Sequence, residues 1–214
     1  MILPDPHTLA IFMAASLALA FVPGPAVLYI VTESVQGGRL AGIVSAGGIA
    51  TGGLVHVGFA AVGLSALLVR SAVAFEAVKY LGAAYLIFLG IRRLLARGSV
   101  EEIEARPART RGSLFRQGVV VNVLNPKTAI FFFAFLPQFV DPDAGWVPGQ
   151  ILLLGLIFIA VAFVSDAMWA LAAGTAGRWL RESKAWLGVQ RWVSGCVFIA
   201  LGLITATSGH RQTT

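Results

Sequence analysis

Charge is what this sequence has least of. Only 12% of its 214 residues are Asp, Glu, Lys or Arg, about half the share of an ordinary soluble domain. That charge gathers in short stretches between long apolar runs, which excludes a soluble core. Cysteine is nearly absent: Cys196 stands alone, so an internal disulfide and a cysteine-based metal site are both excluded. Histidine is sparse, and His7, His56 and His210 show no zinc-like spacing. No nucleophile, base and orienting group stand together, and beside the apolar runs there is no room for a soluble catalytic domain. We therefore expect no enzyme, no cofactor and no metal. The N-terminus lacks a basic leader segment, and its apolar run is too long for a signal peptide. It reads as a retained first span.

What is present is apolar bulk, 57% of the chain, with 24 glycines. Small residues let membrane helices approach closely, and a span needs about 20 residues. The sequence predicts an all-α polytopic membrane protein with six transmembrane helices at 8–31, 41–69, 76–95, 117–140, 150–176 and 189–207. Gly37-Gly38 makes the first turn; Asp141-Pro142-Asp143 and Pro148-Gly149 bound the fourth loop. Basic residues set the orientation. Arg92, Arg93, Arg97, Arg106, Arg109, Arg111 and Arg116 in and around the third loop fall on one side, as do Arg178, Arg181, Lys184 and Arg191 at the fifth and Arg39 at the first. Only Arg70, Lys79 and Arg211 fall opposite. The excess marks the cytoplasmic face and places both termini outside. The net charge of +6 is thus accounted for by topology and anionic lipid rather than by nucleic acid.

Three spans followed by three give halves of opposite orientation: a first repeat at 1–97, a cytoplasmic basic loop at 98–116 and a second repeat at 117–214. Lys79-Tyr80 opens span three and Arg191-Trp192 opens span six; the same offset separates Gly90 from Gly202. Prolines interrupt span one at Pro23-Gly24-Pro25 and span four at Asn125-Pro126-Lys127. Interrupted helices at matching places in two halves are the best sequence pointer to a transport site.

A proline has no amide proton, so each break strands a carbonyl upstream. Gly24 allows close approach to the backbone. Asn125 can cap or bridge the broken turn. Lys127 lies well inside an otherwise uncharged run, at a cost of about 2.5 kcal/mol or more. Asp166 is the other buried charge and the natural partner of Lys127, since paired charges cost less than two alone. It can also take a substrate ammonium or a proton. Span two is milder. Gly48 with Gly52, and Gly47 with Thr51, form small-residue faces for helix packing, and His56 reads as a hydrogen-bonded packing histidine. Glu33 and Glu76 sit at span ends, as interface residues do. Phe131, Phe132, Phe133 and Phe135 face lipid or neighbours, with an apolar gate as a further use.

The chain resembles the lysine exporter family, also called the LysE/RhtB or homoserine/threonine resistance family. The likeness rests on Pro23-Gly24-Pro25, on Glu76, Lys79 and Gly82-Ala83-Ala84-Tyr85-Leu86 with Gly90, on Asn122 with Asn125-Pro126-Lys127, on Leu136-Pro137-Gln138-Phe139 and on Asp166. It implies a secondary carrier in the bacterial inner membrane, driven by protons or membrane potential, that exports amino acids or small derivatives. Two buried charges favour a zwitterion: a neutral or homoserine/threonine-like substrate. Transport residues would be Pro23, Gly24, Pro25, Asn125, Pro126, Lys127 and Asp166. Expected partners are that substrate, protons and membrane lipids, and glycine-rich faces left after packing allow a homodimer. A small-solute or ion channel and a membrane-embedded structural or interaction protein are the alternatives.

Overall fold

The computed structural model describes residues 4–64, 109–141 and 145–182, with separate helical positions between 77 and 95 and between 192 and 206. Expected spans 76–95 and 189–207, the repeat boundary at 97 and the glutamates of the third loop thus lie wholly or largely outside the described residues. All regular structure among the described residues is helical.

Helix α1 runs Pro6–Phe21. Asp5 caps it, accepting from the amides of His7 at 3.0 Å and Thr8 at 3.1 Å, and Pro6 suits the first helical position, where an amide proton has no partner. Hydrogen bonds from Thr8 hold the Asp5 carboxyl below its usual range. The helix stops where Pro23 cannot continue it, and Val22 turns extended at φ −68°, ψ 116°. Pro25 then opens α2, Pro25–Phe59, which a π-helical turn, Ala60–Leu64, extends.

Helix α2 is not one rod. Gly38 sits inside it at φ 79°, ψ −179°, a region open essentially to glycine alone. The chain reverses there. Ile30 packs in one cluster with Ala46 and Ile49, whereas a continuous helix would set residues 30 and 46 about 24 Å apart. The Cβ position of Gly42 falls 1.9 Å from Ser34 Oγ, so only glycine fits the crossing. The turn expected at Gly37-Gly38 is therefore present, and α2 comprises an outgoing limb at 25–37 and a returning limb at 39–59.

Helix α3 runs Arg111–Val123. It begins six residues before the expected start of span four, because Thr110 caps it by accepting from the Ser113 amide at 3.3 Å. The short α4, Pro126–Ile130, continues through a π turn, Phe131–Phe135, and a 3-10 turn, Leu136–Phe139. The two parts meet at 49°. Helix α5 spans Val147–Glu182, reaching beyond both ends of the expected 150–176. Pro25–Gly63 and Val147–Thr175 are long and apolar enough to cross a membrane, and the bent pair makes a third candidate.

The returning limb of α2 lies backbone to backbone on α3. A Cβ on Gly48 would come within 2.2 Å of the Phe115 carbonyl oxygen, one on Gly52 within 2.6 Å of that of Val119, and one on Gly118 within 2.7 Å of that of Ser45. The Gly48/Gly52 face is thus a packing seam of small residues. Gly47 has looser contact with Phe115, and Thr51 bonds back to the Gly47 carbonyl of its own helix. A second core joins α1, the Phe131–Phe139 turns and α5. Phe131, Phe132 and Phe135 are buried in it and Phe133 is half-buried; the first three face neighbours, not lipid. Phe158 of α5 stacks on Phe131 with centroids 3.9 Å apart, and Phe12 meets Phe139 edge-on at 5.2 Å.

Candidate functional site

A helical amide normally bonds the carbonyl four residues back. Pro23 therefore removes the α-helical donor to Leu19 O, and Pro126 that to Asn122 O, leaving each only a three-residue turn bond, from Val22 N at 3.2 Å and Asn125 N at 3.0 Å. Both carbonyls, lying in different halves of the chain, are claimed by a basic side chain of the opposite half. The Lys127 ammonium donates to Leu19 O at 3.1 Å and to Val22 O at 2.8 Å. His56 Nε2 lies 2.9 Å from Asn122 O; a carbonyl only accepts, so this nitrogen carries the proton. Ala20, whose carbonyl would face the amide of Gly24 in an unbroken helix, is met by Ser165 Oγ at 3.2 Å. The break in α1 thus gathers side chains from α4 and α5, leaving no buried carbonyl cost at those three positions.

Around the second break the polar groups form one connected set. Asn125 adopts φ −80°, ψ 109° and caps α4, its Oδ1 accepting from the Lys127 amide at 3.1 Å. Asn122 Oδ1 accepts from Thr128 Oγ1 at 2.8 Å and Asn125 Nδ2 at 3.3 Å, while Asn122 Nδ2 donates to Ile49 O at 2.7 Å. Asn122 therefore locks the break to the returning limb of α2. His56, which meets the Asn122 carbonyl, stacks on Phe132 with centroids 6.2 Å apart.

The structure gathers the expected site residues unevenly. Pro23, Gly24, Asn125, Lys127 and Asp166 are buried, but Pro25 and Pro126 are exposed and act by starting helices. A Cβ on Gly24 would lie 3.4 Å from Lys127 Cδ, so the lysine stem runs along this glycine. Lys127 and Asp166 line one cavity with Asn122, Asn125, Thr128 and Phe158. The sequence leaves two arrangements open, Lys127 paired with Asp166 or free for a substrate. No contact ion pair joins them here: the Lys127 ammonium is engaged with backbone carbonyls. Among the described residues the ion pair in contact is Arg109–Glu33, at 2.9 Å. The cavity measures about 30 Å³, room for a water or two but not an amino acid.

Sequence reasoning missed several contributors. Asn122 was visible only as part of a motif, and Thr128 and Ser165 not as site residues at all. The available signal was the four-residue spacing of Asn122 from Pro126. Glu33, read as an interface residue, is buried instead, because Arg109 reaches over it and also bonds Gln117 Oε1. Tyr29 donates to Leu114 O beside them at 2.7 Å. Among the described residues no cluster of His, Cys, Asp or Glu is able to hold a metal ion.

Residues 17–209 match the LysE type translocator family. A homoserine/homoserine lactone efflux protein of Salmonella typhimurium is 32% identical over 199 residues, 93% of this chain and 96% of that protein. An uncharacterized membrane protein of Vibrio cholerae is 33% identical over 64% of this chain and 65% of its own length. Another from Bacillus subtilis, YrhP, is 28% identical over 94% and 100%. No solved structure matches. With apolar helices of spanning length and nearly its whole length matched, this chain is a multi-pass membrane protein that belongs to the LysE type translocator family.

Proposed function

We propose that the protein is a secondary carrier that exports small amino acids or their derivatives, neutral or homoserine/threonine-like, from the bacterial cytoplasm across the inner membrane. Protons or the membrane potential drive it. The observation that carries this reading is the joint lining of one buried cavity by Lys127 and Asp166 at a bend between half-helices. A lysine and an aspartate facing one space complement a carboxylate and an ammonium. The family supplies the transport class, and the Salmonella relative is an efflux protein by name.

The full fold in this reading has six spans in two inverted halves, with α1 and the outgoing limb of α2 as span one, the returning limb as span two and both termini outside. The halves rock about the cavity to alternate access. In this reading the Phe131, Phe132 and Phe158 packing serves as the outer gate and the Tyr29, Glu33 and Arg109 contacts as the cytoplasmic one. Two interrupted helices that meet beside one small cavity favour a carrier over a pore. Reconstitution in liposomes with a panel of labelled amino acids, with and without an imposed proton gradient, tests this. Counterflow of a small neutral amino acid is expected. Leakage without exchange would mark a channel, and no movement of any candidate would overturn the reading.

A further inference from the structure

We propose that the carbonyls of Leu19 and Val22 form an ammonium subsite, and that the Lys127 side chain is its resident occupant when the carrier is empty. This rests on the exporter reading for its role in transport, but its geometry stands alone. Two carbonyl oxygens lie 3.1 and 2.8 Å from one primary ammonium. Pro23 removes the amide that would otherwise bond Leu19 O, leaving the Val22 amide, at 3.2 Å, as its helical partner. Val22 is extended rather than helical, which turns its carbonyl off the helix axis. Gly24 leaves room for the lysine stem. The result is a small acceptor pocket of fixed backbone oxygens, with Asp166 on the same cavity.

The chemistry of Lys127 and of an amino acid's ammonium is the same: a primary ammonium with three donors. The incoming substrate therefore competes with a tethered copy of its own ammonium. On exchange, the substrate ammonium takes the two carbonyls and the released Lys127 meets the substrate carboxylate. The Leu19 and Val22 carbonyls thus keep an ammonium donor in either state.

The subsite is tested by restoring the missing amine. Lys127→Ala removes the occupant, and propylammonium replaces the excised atoms. Purified K127A is expected to show a saturable rise in unfolding temperature with propylammonium. Tetramethylammonium, which has no N–H donor, is expected to give none at equal ionic strength, and the unsubstituted protein to respond to neither. If K127A does not fold, K127M fills the stem and leaves only the terminal position, which ammonium ion then occupies against the same control. No response by the variant, or an equal response by the unsubstituted protein, overturns the subsite. Failure of amino-acid counterflow by the unsubstituted protein with a working rescue would instead overturn the exporter role and leave the subsite standing.

Discussion

Asn122 serves more partners than any other side chain at the breaks: it donates to Ile49 O and accepts from Thr128 and Asn125. Truncation to Ala leaves buried polar groups orphaned, at about 1–3 kcal/mol each. Asn122→Ala is therefore expected to lower the unfolding temperature in micelles well beyond an exposed substitution such as Leu124→Ala; equal effects would contradict its place in the network. Asp166 differs, because its carboxylate lines the cavity rather than tying helices together. Asp166→Asn is expected to abolish export while membrane content stays normal, measured as efflux from vesicles beside an immunoblot. Near-normal efflux would remove Asp166 from the mechanism. Lys127 and Asp166 were legible in the sequence because charge is rare in an apolar run. Their partners were not: the bonds of Lys127 reach residues 108 and 105 positions away, and no local pattern encodes such a distance.

At the scale of elements, the prolines do different work from one another. Pro23 ends α1, whereas Pro25 and Pro126 begin helices, a division that follows from where an amide proton is dispensable. The breaks themselves were legible from Pro23-Gly24-Pro25 and Asn125-Pro126-Lys127, and Gly37-Gly38 marked the reversal in α2. The start of α3 was not, since polarity of 111–116 concealed a helix that Thr110 caps. The seam between α2 and α3 leaves little slack, because Gly48 meets the backbone of Phe115 and Gly118. A methyl there has no side chain to displace, and overpacking costs about 1–3 kcal/mol. Gly48→Ala is expected to destabilise the protein by that order in denaturant unfolding, and Gly47→Ala, which would touch only the Phe115 ring, by much less. Equal costs would show that the seam yields.

For the molecule as a whole, orientation is the property that local geometry leaves open. The proposed orientation puts Gly112 on the cytoplasmic side and Asp5 outside. Both positions suit probes: Gly112 is exposed with nothing within 4 Å of its Cβ position, and Asp5 is exposed. In a Cys196→Ser background, a membrane-impermeant maleimide applied to intact cells is expected to label a cysteine at 5 and not one at 112. The opposite pattern would invert the topology. Whole-molecule class was plain from composition, since an apolar chain with so little charge has few other solutions.

The crossed side-chain claims on the carbonyls at the two breaks also set an order of events during synthesis. His56 has already been made when Asn122 emerges, so the second break finds its donor at once. Leu19 and Val22 must wait for a lysine translated more than a hundred residues later. Until then the nascent first half carries a helix end that lacks its lysine donor.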